Sequence, residues 1–133
     1  KIIFPVHPVT SKLIKEDLNF NNIIFVKPMG YLEFIFFLKN SNGVITDSGG
    51  ITEESTYLNI PCITLRDNTE RPETITFGTN RLSNFNDFNK IDKLLSKLLI
   101  SKWYNTKKIP PKWDGNSSKR IWNLLQNELY KSF

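Results

Sequence analysis

An apolar run that breaks on two glycines into a helical pattern constrains this chain more than any other feature. Gly43-Val44-Ile45-Thr46 reads as a buried strand, it stops at Asp47-Ser48-Gly49-Gly50, and Ile51-Thr52-Glu53-Glu54 then starts a helix. A strand that turns through glycines into a helix leaves free backbone N–H groups at the positive end of the helix dipole, which suits a phosphate. The polar segment Thr69-Glu70-Arg71-Pro72-Glu73 follows, and it can bring a guanidinium to the same place. Together the segments point to a nucleotide-diphosphate site.

The same alternation runs along the chain. Short β-type runs at Ile2 to Val6, Ile23 to Val26, Gly43 to Thr46 and Cys62 to Leu65, with a short fifth at Asn80 to Leu82, alternate with helical patterns. The helices expected are Ser11 to Asp17, Gly30 to about Lys39, Gly50 to Leu58, one capped by Asp87 that carries Ile91, Leu94, Leu95, Leu98 and Leu99 on one face, and Ser117 to Tyr130 beyond Ile109-Pro110-Pro111. Strands alternating with helices predict βαβ units: an α/β, Rossmann-like parallel sheet with helices on both faces. Ligands of such sheets sit at the carboxyl ends of the strands. The polar loops fall there: His7-Pro8, Lys27-Pro28-Met29-Gly30, Asp47-Ser48-Gly49-Gly50 and Arg66 to Glu73.

With 133 residues the length fits one compact domain. The start at Lys1, running at once into Ile2-Ile3-Phe4, reads as the interior of a sheet, so the chain is expected to be a piece of a longer protein. Eighteen basic against thirteen acidic side chains give a net charge of +5. The lysines are scattered, among them Lys12, Lys15, Lys39, Lys90, Lys93, Lys97, Lys107 and Lys108, with no dense block and no aromatic interleaving. That is a lysine-rich surface and not a nucleic-acid interface. The longest apolar run, Phe34 to Leu38, is far too short to cross a bilayer, so no membrane partner is expected. The single cysteine, Cys62, lies in Ile60-Pro61-Cys62-Ile63-Thr64-Leu65 and reads as a buried core thiol, in keeping with a reducing, cytoplasmic setting.

Each candidate residue has a bland reading beside the sharp one. Ser48 is either an ordinary helix cap or a phosphate ligand, and the Gly49-Gly50 pair, which capping does not require, favours the ligand. Glu53 and Glu54 differ in direction by about 100° and so cannot share a task. One of them can accept from ribose hydroxyls, or both merely favour a helix N-terminus. Arg71 suits bidentate phosphate contact, yet it also suits a local ion cluster with Asp67, Glu70 and Glu73. His7 is a ligand contact or a polar cap. Tyr31 and Phe34 lie three apart on one helical face, as core residues or as a stacking platform for a base.

These residues in this order resemble the C-terminal half of the non-hydrolysing UDP-N-acetylglucosamine 2-epimerase family. The resemblance rests on Phe4-Pro5-Val6-His7-Pro8, Pro28-x-x-Tyr31-x-x-Phe34, Thr46 to Glu54, Pro61 to Glu73, Gly78-Thr79-Asn80, and Trp113-Asp114-Gly115 with Arg120-Ile121. It implies a GT-B-like enzyme of two Rossmann-type domains, of which residues 1–133 would be the C-terminal, UDP-binding one. The N-terminal domain would be a missing partner and the whole protein a homodimer, with no cofactor and no metal. Phe34, beside Tyr31, would stack on uracil, and Glu54 would hold the ribose. Ser48, Gly49 and Gly50 would hold the diphosphate, with Arg71 near the same phosphates and His7 near a second, activating UDP-sugar.

The implied reaction interconverts UDP-GlcNAc and UDP-ManNAc by elimination of UDP and its re-addition. The carboxylates that move the C2 proton would lie upstream of Lys1. No catalytic residue is therefore assigned in this chain, and the isolated fragment is expected to be inactive. Departures from the family pattern are Val9-Thr10 after His7-Pro8, Asn59 for a helix-ending glycine, and Asn84 for another glycine. Competing readings are a different GT-B glycosyltransferase, an epimerase of a related diacetamido UDP-sugar, and a non-catalytic sugar-nucleotide-binding module.

Overall fold

The computed structural model describes residues 1–14, 20–100, 103 and 109–131. The chain divides into two compact units, Lys1–Asn40 and Ser41–Phe133. In the first, β1 (Ile2–Pro5) and β2 (Ile23–Val26) pair in parallel, with Ile2 opposite Ile23 and Pro5 opposite Val26. The rings of Phe4 and Phe25 meet across the pair with centroids 5.9 Å apart. Pro8 at the first helical position starts a single turn, α1 (Pro8–Ser11), earlier than the expected helix from Ser11. Residues 15–17 of that expected helix lie outside the described residues. The helix α2 (Tyr31–Lys39) begins at Gly30 and ends on Asn40, whose side-chain amide donates to the Phe36 carbonyl at 2.7 Å.

The second unit is built on a three-stranded parallel sheet in the order β3 (Val44–Thr46), β4 (Cys62–Thr64), β5 (Asn80–Leu82). Between these strands run α3 (Gly49–Leu58) and the short α4 (Pro72–Thr76); α5 (Phe88–Leu99) and α6 (Ser117–Lys131) follow. All the recorded pairing is parallel, as the alternation of strands and helices requires. It forms two sheets, one in each unit, where the pattern of runs alone had no means of marking a division.

The caps explain where the helices end. Asp87 accepts from the Lys90 N–H at 3.0 Å and starts α5. Asn59 closes α3 in the left-handed region, at φ 57°, where its N–H reaches the Ser55 and Thr56 carbonyls. Asparagine here takes the left-handed cap that the resemblance leads one to expect of a glycine. Asn84 finds partners too: its amide donates to Asp67 Oδ1 at 2.7 Å, and its own Oδ1 accepts from the Asn86 N–H at 2.8 Å.

The middle of the second unit is unusually polar. Cys62 and Ile63 of the central strand are fully buried, but Thr52, Ser55, Thr56, Thr64, Thr74, Thr79, Asn80 and Ser83 are buried with them. Burial is affordable for hydroxyls that bond to one another or to the backbone, as when Thr79 Oγ1 donates to the Ile60 carbonyl and Ser55 Oγ to that of Thr52. Burial pushes the Cys62 thiol up from its ordinary value, which keeps it unreactive. By contrast Ile45, in the run that reads as buried, is 40% exposed.

The Trp113-Asp114-Gly115 segment makes the entry to α6. Arg120 Nη1 donates to both carboxylate oxygens of Asp114 at 2.9 Å, while its Nη2 donates to the Lys112 carbonyl at 2.7 Å. The loop takes two left-handed residues, Lys112 (φ 70°) and Gly115 (φ 75°). The Asn116 N–H, and then Arg120, hold the Asp114 carboxyl below its ordinary value. A depressed carboxyl contributes stability that is present above its unfolded pKa, about 3.9, and lost as pH falls through the lower folded value. The protection factors of the first α6 amides, measured relative to the intrinsic exchange rate at each pH, are therefore expected to fall on acidification below about pH 4. In Asp114→Asn that fall should be smaller; an identical pH profile would show that the loop does not hold the helix.

Candidate functional site

The opening of α3 departs from an ordinary cap. Ser48 has extended backbone (φ −81°, ψ 126°), as an N-cap should, but its side chain makes no capping hydrogen bond. Its own N–H is held by Thr46 Oγ1 at 3.0 Å, and Thr52 closes the first turn by donating to the Ser48 carbonyl at 3.3 Å. Among the described residues, the N–H groups of Gly49, Gly50 and Ile51 have no acceptor. A half-buried hydroxyl and a row of unused donors thus sit at the positive end of a ten-residue helix.

The two glycines are not demanded by the protein. Neither has a positive φ. A Cβ on Gly49 would meet nothing within 4 Å, and one on Gly50 only Ser48 Oγ at 3.9 Å. Gly78 is the contrast: its Cβ would run into the Thr56 side chain and the Thr74 carbonyl, so packing alone accounts for it. What Gly49 and Gly50 keep clear is the space outside the helix end, where a ligand can approach the backbone.

Arg71 stands just before α4, whose first residue is Pro72. The sequence reads this region as loop through Glu73; the helix forms because proline's fixed φ suits a first helical position and its missing N–H costs nothing there. Arg71 Nε donates to Glu53 Oε1 at 2.8 Å, both side chains being 40% exposed. Contact with Glu70 is longer, 3.8 Å to the carboxylate. Of the cluster that the sequence offered, Asp67 is engaged instead by Asn84. Glu53, on α3, is the partner that sequence spacing did not reveal. Glu54, its neighbour, is half-buried.

In the first unit the candidates sit at the corresponding strand ends. His7 is exposed and its Nδ1 accepts from the Val9 N–H at 3.3 Å, so it caps α1. Tyr31 is 65% exposed and Phe34 half-buried, so Tyr31 does not serve as core. No helix among the described residues is long and apolar enough to cross a membrane.

Parallel strands joined through helices, with an unencumbered helix start at the carboxyl end of a strand, define the class: a Rossmann-like α/β protein of the type that takes nucleotides at that edge. Within that class the chain belongs to the UDP-N-acetylglucosamine 2-epimerase family, whose family model matches residues 1–126. It is similar to a UDP-N-acetylglucosamine 2-epimerase of Methanococcus maripaludis, 42% identical over 133 residues, with 96% of this chain and 35% of the relative covered. The UDP-GlcNAc 2-epimerase of Methanocaldococcus jannaschii, solved in complex with UDP-GlcNAc and UDP, matches with a TM-score of 0.74 at 43% identity, over 95% of this chain and 35% of that one. The Neisseria meningitidis UDP-GlcNAc 2-epimerase, bound to UDP-GlcNAc, gives 0.70 at 31% identity, over 94% and 36%. The chain thus spans about a third of the length of these relatives.

Proposed function

We propose that residues 1–133 are the UDP-binding part of an enzyme that interconverts UDP-GlcNAc and UDP-ManNAc. The observation that carries this reading is the opening of α3, where among the described residues the space beside Gly49 and Gly50 holds nothing closer than Ser48 Oγ at 3.9 Å, beneath N–H groups with no acceptor. The match to epimerases solved with UDP-GlcNAc and UDP supports it. In the proposed reaction the bond from C1 to the UDP oxygen breaks as C2 loses its proton, giving a 2-acetamidoglucal. Re-addition of UDP at C1 with protonation of C2 from the opposite side gives the epimer.

This chain's share of that chemistry is the leaving group. Fixed donors aimed at developing charge lower the barrier because they need no reorganisation when the charge appears. Ser48 and the Gly49, Gly50 and Ile51 N–H groups take the diphosphate, with Arg71 as its cationic partner. Glu54 accepts from the ribose, Phe34 and Tyr31 receive the uracil, and His7 contacts a second, activating UDP-sugar. The groups that move the C2 proton belong to an N-terminal domain, and the whole protein works as a cytoplasmic homodimer.

The test is incubation of the full-length protein with UDP-GlcNAc in deuterated water. Formation of UDP-ManNAc with deuterium at C2 is expected. Absence of both the epimer and the label would sink the reading.

A further inference from the structure

We propose that Glu53 is a positioning residue for the phosphate-binding guanidinium of Arg71, a role that rests on the diphosphate reading above. Arg71 is held on every side but one. Its N–H donates to Thr69 Oγ1 at 3.0 Å, and its carbonyl accepts from the Thr74 N–H at 3.0 Å and Thr74 Oγ1 at 2.7 Å. Those bonds fix the backbone but leave a long side chain free to rotate. The Nε bond to Glu53 removes that freedom. Nη1 makes only long contacts with Glu70, 3.4 Å to its carbonyl and 3.8 Å to its carboxylate, and Nη2 has no acceptor among the described residues. The end-on pair of Nη groups is thereby left for a ligand, in the fork geometry that matches phosphate oxygens.

The place of Glu53 makes the tether meaningful. It lies four residues past Gly49 on α3, so its Cα is only about 6 Å along the axis from the helix start. The carboxylate therefore anchors the guanidinium to the same helix whose free N–H groups form the diphosphate cradle. Orientation and charge act in opposite directions here, because a carboxylate beside the arginine also offsets part of its attraction for phosphate. The pair is 40% exposed on both sides, where solvent and salt screen the charge. The directional Nε bond keeps its effect, so orientation prevails.

Calorimetry of UDP and of uridine binding to the full-length protein tests this, using Glu53→Ala, Glu53→Gln, Arg71→Ala and the double variant Glu53→Ala/Arg71→Ala. Glu53→Ala is expected to weaken UDP about tenfold and to leave uridine unchanged. Glu53→Gln, whose amide oxygen still accepts from Nε, should keep most of the wild-type UDP affinity. Once Arg71 is alanine, loss of Glu53 should cost nothing more. Wild-type or tighter UDP binding by Glu53→Ala overturns the positioning role, as does an equal added loss in the Arg71→Ala background. A parallel loss of UDP and uridine marks a structural role and overturns it too. Wild-type UDP binding by Arg71→Ala overturns the phosphate reading of Arg71, and the positioning role falls with it.

Discussion

The double variant Gly49→Ala/Gly50→Ala is expected to be slightly more stable than the wild type and to bind UDP at least a hundredfold more weakly, about 3 kcal/mol. The opposite signs are the point of the experiment. Alanine at either position meets no protein atom closer than 3.9 Å, and neither backbone needs a positive φ. The folded state therefore accepts the methyl groups without strain. The unfolded chain loses freedom, and the helix gains better formers, together about 0.5–1 kcal/mol per site.

The ligand sees a different surface. On the proposed diphosphate reading, methyl groups outside the helix end would stand where phosphate oxygens approach the N–H groups of Gly49, Gly50 and Ile51. Hydrogen bonds to a charged acceptor contribute about 1.5–3 kcal/mol each, so losing two of them gives the stated effect or more. Thermal unfolding without ligand and calorimetry with UDP on the full-length protein check both halves. If the variant binds UDP normally, the cradle is not at α3. If it is destabilised, the glycines answer to packing after all.

Part of this could be read in the sequence, for physical reasons that particular residues show. Local rules carried well: apolar runs placed β3, β4 and β5, Asp87 announced the start of α5, and Asn59 stood in for a helix-ending glycine as its tolerance of the left-handed region allows. Ser48-Gly49-Gly50 stood out as a ligand candidate because two glycines at a strand-to-helix junction have no local use, and the proposal for that site still rests on them. The resemblance supplied the family, and the match over residues 1–126 bears it out. Non-local facts were out of reach. Glu53 and Arg71 are 18 residues apart, on different elements, and nothing in their spacing couples them. Pro72 was a helix-start signal inside a segment whose charges read as loop. Thr64, Thr74 and Asn80, which composition assigns to the surface, turn out to fill the centre of the second unit, where they hydrogen-bond one another.

Asn80 is where that polar centre is most exposed to test. It is fully buried on β5; its Oδ1 accepts from Thr64 Oγ1 at 2.6 Å, and its Nδ2 donates to Thr74 Oγ1 at 3.1 Å. Thr74 in turn donates to the Arg71 carbonyl at 2.7 Å, so one side chain links β4, β5, α4 and, through Thr74, Arg71. Asn80→Ala removes both bonds, leaves the buried Thr64 hydroxyl without its Asn80 acceptor, and opens a small cavity. Unsatisfied buried groups cost about 1–3 kcal/mol each, and with the cavity an overall loss of about 3 kcal/mol is expected. Hydrogen exchange at the β4 and β5 amides of the full-length protein reads this directly, as a loss of protection of roughly a hundredfold. Asn84→Ala is the control. Asn84 also bonds a side chain, Asp67, but at an exposed site where water replaces what is lost, so protection should change by no more than about threefold. Equal protection in wild type and Asn80→Ala would mean that the buried network contributes nothing to the stability of this sheet.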